Sequence, residues 1–79
     1  MSPTVLRVRG YRLFFFSREE TRMHVHIQHA AGEAKVWLSP RIEIAQNHGL
    51  SPARLAAAIR LVEEHRDEIR RAWNAHFGR

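Results

Sequence analysis

Residues 23–38 carry the most constraining pattern of the chain, an alternation of apolar and polar side chains in two successive segments. The apolar positions are Met23, Val25, Ile27, Ala34, Val36 and Leu38. A period of two is typical of a β-strand with one buried face, and it places all six side chains on the same side of two strands. The small residues 30–32 between the segments indicate a turn, so we predict an antiparallel hairpin.

Three further segments have strand character. Residues 5–9 have strand composition, and residues 11–17 resume it with bulky aromatics after Gly10, which predicts a second hairpin with a turn or a bulge at Gly10. Residues 41–46 alternate as well and predict a short strand, with a short helix as the alternative. The run from Leu13 to Phe16 leaves two interpretations open: one face buried, or both faces buried.

After Ser51 the spacing of the apolar residues changes from every second residue to about every 3.6 residues. Ser51 and Pro52 are typical of a helix start, a capping serine followed by proline at the first helical position. The apolar stripe that follows consists of Leu55, Ala58, Ile59, Val62, Ile69 and Trp73. We therefore predict one long C-terminal helix that ends near His76.

These elements predict a two-layer α+β domain spanning residues 1–79. An antiparallel sheet of four or five strands and one long helix each have one apolar side, and each side is buried by covering the other. A chain of 79 residues has the size of a single small domain. No apolar run is long enough to span a membrane. Arg7 and Arg9 interrupt the first apolar stretch, so we expect no signal peptide and a cytoplasmic location.

Composition limits the chemistry further. The chain has no cysteine, which excludes disulfides and a cysteine-based zinc site. It has 13 basic and 8 acidic residues, and the first 38 residues hold six basic against three acidic ones. Lys35 is the single lysine; the other basic residues are arginines, whose planar guanidinium groups suit both phosphate binding and stacking. The charge balance therefore favours an acidic partner for the first half of the chain.

One helix covers only one face of a sheet, so the opposite face is expected to be accessible. Strand alternation places on it Arg7, Arg9, Arg12, Phe14, Phe16, His24, His26, Lys35 and Trp37. Positive groups beside flat rings are what RNA or single-stranded nucleic acid requires. We predict that Arg7, Arg9 and Arg12 contact phosphates. We predict that Trp37 stacks on a base or anchors a partner. The same aromatic face also fits a partner protein, a second copy of the chain or a small second core.

His24 and His26 lie about 7 Å apart on one side of their strand. Imidazole titrates near neutral pH, so with Lys35 the pair is a candidate catalytic site for phosphodiester cleavage. One imidazole would take the 2′-hydroxyl proton, another group would protonate the leaving oxygen, and Lys35 or an arginine would stabilise the phosphorane charge. Such an enzyme would be an endoribonuclease that needs no metal or cofactor, and the sequence leaves open whether the chain is an enzyme.

Two other interpretations of the histidine pair stand beside this one. The pair also offers two ligands for zinc, iron or copper, and Glu33 is then the best candidate for a third. Alternatively the motif has no function, because a chain with six histidines readily contains such a pair. The sequence alone does not choose among acid–base chemistry, metal binding and coincidence.

Four segments of the chain carry a resemblance to a known family, namely TVLRVRGYRLFFFS, HVHIQHAAGEAKVWLSP, GLSPARL and LVEEHRDEIRRAWNAHFG. In this order, and over almost the whole chain, they resemble the small bacterial proteins of the domain of unknown function 4160 family. That family commonly has Pro-His-Ile-His where this chain has Met23-His24-Val25-His26. The change is conservative for a strand, since methionine donates a backbone hydrogen bond and proline does not.

The resemblance implies a component of a two-gene module of the toxin–antitoxin type. A cognate small protein would be its partner, and RNA would be the target of a small basic toxin. His24, His26 and Lys35 are the positions that match, although the family has no catalytic assignment to transfer. The alternatives are a protein-interaction module or homodimer that uses the aromatic face, and a metal-binding protein.

Overall fold

The computed structural model describes residues 4–16 and 22–78. Its elements are β1 (Thr4–Val8), β2 (Tyr11–Phe14), β3 (His24–His29), β4 (Gly32–Trp37), β5 (Glu43–His48), α1 (Pro52–Glu64) and α2 (Arg66–Phe77). The five strands form one antiparallel sheet in sequence order. The predicted α+β class and the antiparallel sheet are therefore confirmed, and the segment at 41–46 is a strand that begins and ends two residues later than predicted.

The first hairpin turns at Arg9 and Gly10, which both have positive φ angles, 51° and 82°. Val8 pairs with Tyr11 and Arg7 with Arg12, so the loop has two residues. Two-residue loops with positive φ match the twist of the adjoining strands. The turn at Gly10 is confirmed, but the placement of Arg9 on a strand face was wrong, because this residue belongs to the turn.

The second hairpin has the predicted buried side. Val25 pairs with Val36 and Ile27 with Ala34, so these side chains lie side by side in the core. We call this side of the sheet the inner face. The opposite side, which carries Arg12, Phe14, His26, Lys35 and Trp37, is the outer face.

Gly32 begins β4 where this strand passes the end of β5. A Cβ atom at this position would overlap the His48 carbonyl oxygen and lie 2.8 Å from the Gly49 carbonyl carbon. We expect Gly32→Ala to lower the free energy of unfolding by about 1–3 kcal/mol, because backbone has to shift to admit the methyl group. Urea denaturation measures the change, with the exposed neighbour Ala30→Ser as control. A Gly32→Ala protein as stable as the wild type would contradict this packing.

The helical region begins where it was predicted, but it consists of two helices. Ser51 is the N-cap of α1, and its Oγ accepts a hydrogen bond of 3.2 Å from the Arg54 N–H. The predicted single helix was wrong, since His65 has a φ of −111° and separates α1 from α2. His65 still donates to the Leu61 carbonyl and accepts from the Ile69 N–H. The hydrogen bonds and the apolar stripe thus continue through the break, which hides it from a periodicity argument.

Both helices contribute to one core on the inner face. The buried side chains of this core are Tyr11, Leu13, Phe15, Val25, Ile27, Val36, Leu38, Ala58, Leu61, Val62, Ile69 and Trp73. Two polar contacts attach the helices to the sheet: the Tyr11 hydroxyl donates to the Arg54 carbonyl (3.2 Å), and Arg70 Nη2 donates to the Leu38 carbonyl (3.0 Å). Both helices therefore pack mainly against the inner face.

Candidate functional site

Strand pairing arranges the outer face in three rows that cross the sheet. The first row is Arg7, Arg12, Gln28, Glu33 and His48. The second is Phe14, His26, Lys35 and Gln46. The third is His24, Trp37 and Glu43. Paired residues in a sheet are direct neighbours. The structure therefore brings His26 and Lys35 side by side, a register that alternation does not determine.

His24 is completely buried, contrary to the expectation of two accessible imidazoles. Its Nδ1 donates a 2.7 Å hydrogen bond to the Arg22 carbonyl oxygen. Its ring lies 5.6 Å from the Trp37 ring and 5.3 Å from the Trp73 ring, centre to centre. At this end of the sheet the helix layer covers part of both faces, because Trp73 of α2 also contacts His24.

His26 is half-buried among phenylalanines. Its ring centre lies 4.2 Å from that of Phe16 and 5.4 Å from that of Phe14, and the His24 ring contacts it edge-on at 5.1 Å. Phe14 is buried as well, whereas Phe16 is 46% exposed. Leu13 to Phe15 are thus buried on both faces of the sheet, which decides between the two interpretations of this run. Of the two imidazoles, only His26 retains accessible surface.

Trp37 lies beneath two cationic groups. The Arg22 guanidinium carbon is 4.1 Å from the ring centre, and Lys35 Nζ is 4.6 Å from it. Arg22 is held in place by the Ser39 carbonyl at 2.9 Å and by Glu43 at 3.2 Å. The indole attracts these cations through its electron-rich face. A base that stacks on Trp37 would have to compete with these cations for the ring face that they occupy.

Arg12 and Arg7 form the positive end of the first row. Arg12 Nε donates to Thr4 Oγ1 (2.8 Å), Nη1 donates to Gln28 Oε1 (3.4 Å), and the guanidinium lies 4.4 Å from the centre of the Phe14 ring. Arg7 is exposed directly opposite Arg12. Like charges on directly paired positions are destabilising in a sheet, and here the contacts of Arg12 with Thr4, Gln28 and Phe14 offset that cost.

The family model described as Domain of unknown function (DUF4160) matches residues 10–74. The chain belongs to the DUF4160 family. No curated protein and no solved structure matches it. The match includes His24, His26, Lys35 and Trp37, whereas Arg7 and Arg9 precede it. Among the described residues, the DUF4160 chain has no helix with the length and apolar character needed to cross a membrane.

The described part of the DUF4160 chain holds no group of three histidine, cysteine, aspartate or glutamate residues placed to bind a metal ion. Glu33, the candidate third ligand, pairs with Gln28 rather than with His26. Metal ions such as zinc are held by three or four protein ligands. The metal interpretation of the histidine pair therefore finds no third ligand in residues 4–16 and 22–78.

The sequence pattern did not single out Arg22, and it did not indicate that Trp73 contacts His24. Arg22 lies in a polar segment without periodicity, and its only signal is its position two residues before His24. Trp73 was placed correctly on the apolar stripe, but a stripe does not reveal which sheet residues it contacts. Which residues Arg22 and Trp73 contact depends on the register of the strands and on how the helices pack, and both involve residues far apart in the sequence.

Proposed function

We propose that this DUF4160 protein binds single-stranded RNA across its outer face, as a component of a two-gene module of the toxin–antitoxin type. The observation that supports this proposal most strongly is a set of cations lying on aromatic rings of one sheet face. The pairs are Arg12 on Phe14, Arg22 on Trp37 and Lys35 on Trp37. Single-stranded nucleic acids are bound by this combination, with cations at the phosphates and rings at the bases.

Binding is favoured over catalysis by the environment of the two imidazoles. Cleavage of RNA by general acid–base chemistry needs two groups that reach the 2′-hydroxyl and the leaving oxygen. His24 is buried and bonded to the Arg22 carbonyl. We therefore assign His26 and Lys35, direct neighbours on the surface, to RNA contact. His24 positions the His26 ring through their edge contact.

Salt dependence tests RNA binding. We expect the affinity for a fluorescent oligouridine, measured by anisotropy, to fall steeply as KCl rises, because bound phosphates release counterions. The double variant Arg12→Gln, Lys35→Gln should flatten the slope of log affinity against log salt by about 1.4, which is about 0.7 for each lost phosphate contact on a single strand.

A matched control removes the same charge from the helices. Arg60 and Arg71 are exposed on α1 and α2, and Arg60→Gln, Arg71→Gln should leave the slope unchanged. If both double variants flatten the salt slope equally, a specific interface on the outer face is contradicted, and an affinity independent of salt would contradict phosphate binding.

The toxin role is tested by expression in bacteria. Expression of the protein should arrest growth, and the Arg12→Gln, Lys35→Gln variant should relieve the arrest; absence of arrest would contradict that role.

The exposed ring of Phe16 favours a second candidate, a protein-interaction module. An aromatic side chain that is 46% exposed beside a half-buried histidine fits a small apolar contact with a partner protein or a second copy of the chain. Apolar association is insensitive to moderate salt, so light scattering at low and high salt separates it from RNA binding. Phe16→Ser would abolish a complex of this kind, and a monomer at all concentrations would exclude the homodimer.

A further inference from the structure

A shallow cleft lies at the end of the sheet where the turns of both hairpins meet. Its described lining residues are Arg7, Gly10, Arg12, Gln28, His29 and Ala30. We call it the hairpin cleft. We propose that the hairpin cleft binds a terminal phosphate of the RNA, a phosphate monoester at one end of the strand. This inference rests on the proposed function and adds the chemical form of the RNA end.

His29 presents a hydrogen-bond donor at this cleft. The Ala31 N–H donates a 3.0 Å hydrogen bond to His29 Nδ1, so the proton of the neutral imidazole is on Nε2. The Nε2 atom lies 3.7 Å from the position that a Cβ atom of Gly10 would occupy, which places it beside the turn that borders the cleft. The ring of Tyr11, 4.7 Å away, packs against the imidazole and fixes its orientation.

Arg7 and Arg12 add positive charge to the lining of the same cleft. Arg7 and Arg12 are directly paired across β1 and β2, and their mutual repulsion is relieved when an anion lies between them. Hydrogen bonds to Thr4 and Gln28 hold the Arg12 guanidinium in place. None of the described residues that line the cleft carries a carboxylate. The acidic group of the same row is Glu33, which lies beyond Gln28.

Charge and position both favour a terminal phosphate over an internal one. A phosphate monoester carries a charge of about −1.5 to −2 at neutral pH, which matches two guanidinium groups, whereas an internal phosphodiester carries one charge. The cleft lies beyond the rows that hold Phe14, His26 and Trp37. An RNA strand that crosses those rows and stops at this edge of the sheet would have its end near the arginines.

Three oligouridines of one length test the inference on the intact protein, with a 5′-phosphate, a 3′-phosphate, or hydroxyl groups at both ends. We expect one phosphorylated form to bind about tenfold more tightly than the hydroxyl form, a difference of about 1.4 kcal/mol, because the terminal phosphate gains charge-assisted hydrogen bonds. Arg7→Gln and His29→Asn should remove this advantage. Asparagine keeps an acceptor for the Ala31 N–H and lacks the Nε2 donor, whereas His29→Gln keeps a donor and should retain part of it.

The outcomes separate the two proposals. If none of the oligouridines binds, both the proposed function and the terminal-phosphate site are overturned. If all three bind equally, RNA binding stands and the hairpin cleft is overturned. A phosphate advantage that persists in both Arg7→Gln and His29→Asn, with folding verified by circular dichroism, would likewise overturn the cleft. Arg60→Gln is the control for the loss of one positive charge, and it should leave the advantage intact.

Discussion

Replacing Trp73 with alanine is expected to lower the free energy of unfolding by about 3–5 kcal/mol, the usual cost of removing a buried aromatic side chain. Trp73 is almost fully buried, and its ring contacts those of Phe15 at 5.3 Å, Phe77 at 4.2 Å and His24 at 5.3 Å. Small domains have a total stability of about 5–15 kcal/mol, so this variant loses a large part of it. Urea denaturation followed by circular dichroism measures the change.

Two further variants serve as controls for Trp73→Ala. Trp73→Phe keeps a ring in the same space and should recover much of the lost stability. Asn74→Ala changes the exposed neighbour on α2 and should stay within about 0.5 kcal/mol of the wild type. A loss below about 1 kcal/mol in Trp73→Ala would show that this side chain does not hold α2 against the sheet.

His24→Ala is expected to cost about 3 kcal/mol of stability, whereas His26→Ala should cost less than about 1 kcal/mol. The first substitution leaves a cavity between Trp37 and Trp73 and removes the donor to the Arg22 carbonyl. The second removes a half-buried ring at the surface. His26→Ala should instead weaken RNA binding. Unfolding curves and RNA titrations on each single variant distinguish the two residues.

Because His24 is expected to contribute much more to stability than His26, a double variant that replaces both histidines needs a stability measurement. Loss of activity in such a protein reports unfolding unless stability is measured in parallel. His24→Asn keeps an N–H group near the Arg22 carbonyl and should recover part of the stability lost in His24→Ala. A His24→Ala protein that is as stable as the wild type but inactive would contradict a structural role and restore His24 as a candidate catalytic residue.

Sequence pattern predicted the inner face of the second hairpin because burial on one side demands a strict period of two. Val25, Ile27 and Val36 follow this period, and all three are buried. The positive φ of Arg9 was not evident, because non-glycine residues seldom adopt it and alternation through the turn predicted one more strand residue. Loop length, rather than composition, determined where β1 ended.

The sequence predicted which face of the sheet carries the candidate site, but not how deeply its side chains are buried. Alternation placed His24, His26 and Lys35 on one face, and strand pairing agrees. Whether a face is open depends on residues far along the chain, and here Trp73 covers His24 from α2. The pairing of His26 with Lys35 likewise depends on the length of the turn between β3 and β4. Local sequence determines orientation, whereas accessibility depends on packing across the whole domain.

The sequential order of the strands has a consequence for synthesis on the ribosome. Each strand pairs with the strand translated just before it, so hairpins are able to form while the chain is still emerging. The helices come last, and until then the apolar side of the nascent sheet has no cover. A chain released early, before α1 and α2 are made, would present that side to other molecules and aggregate.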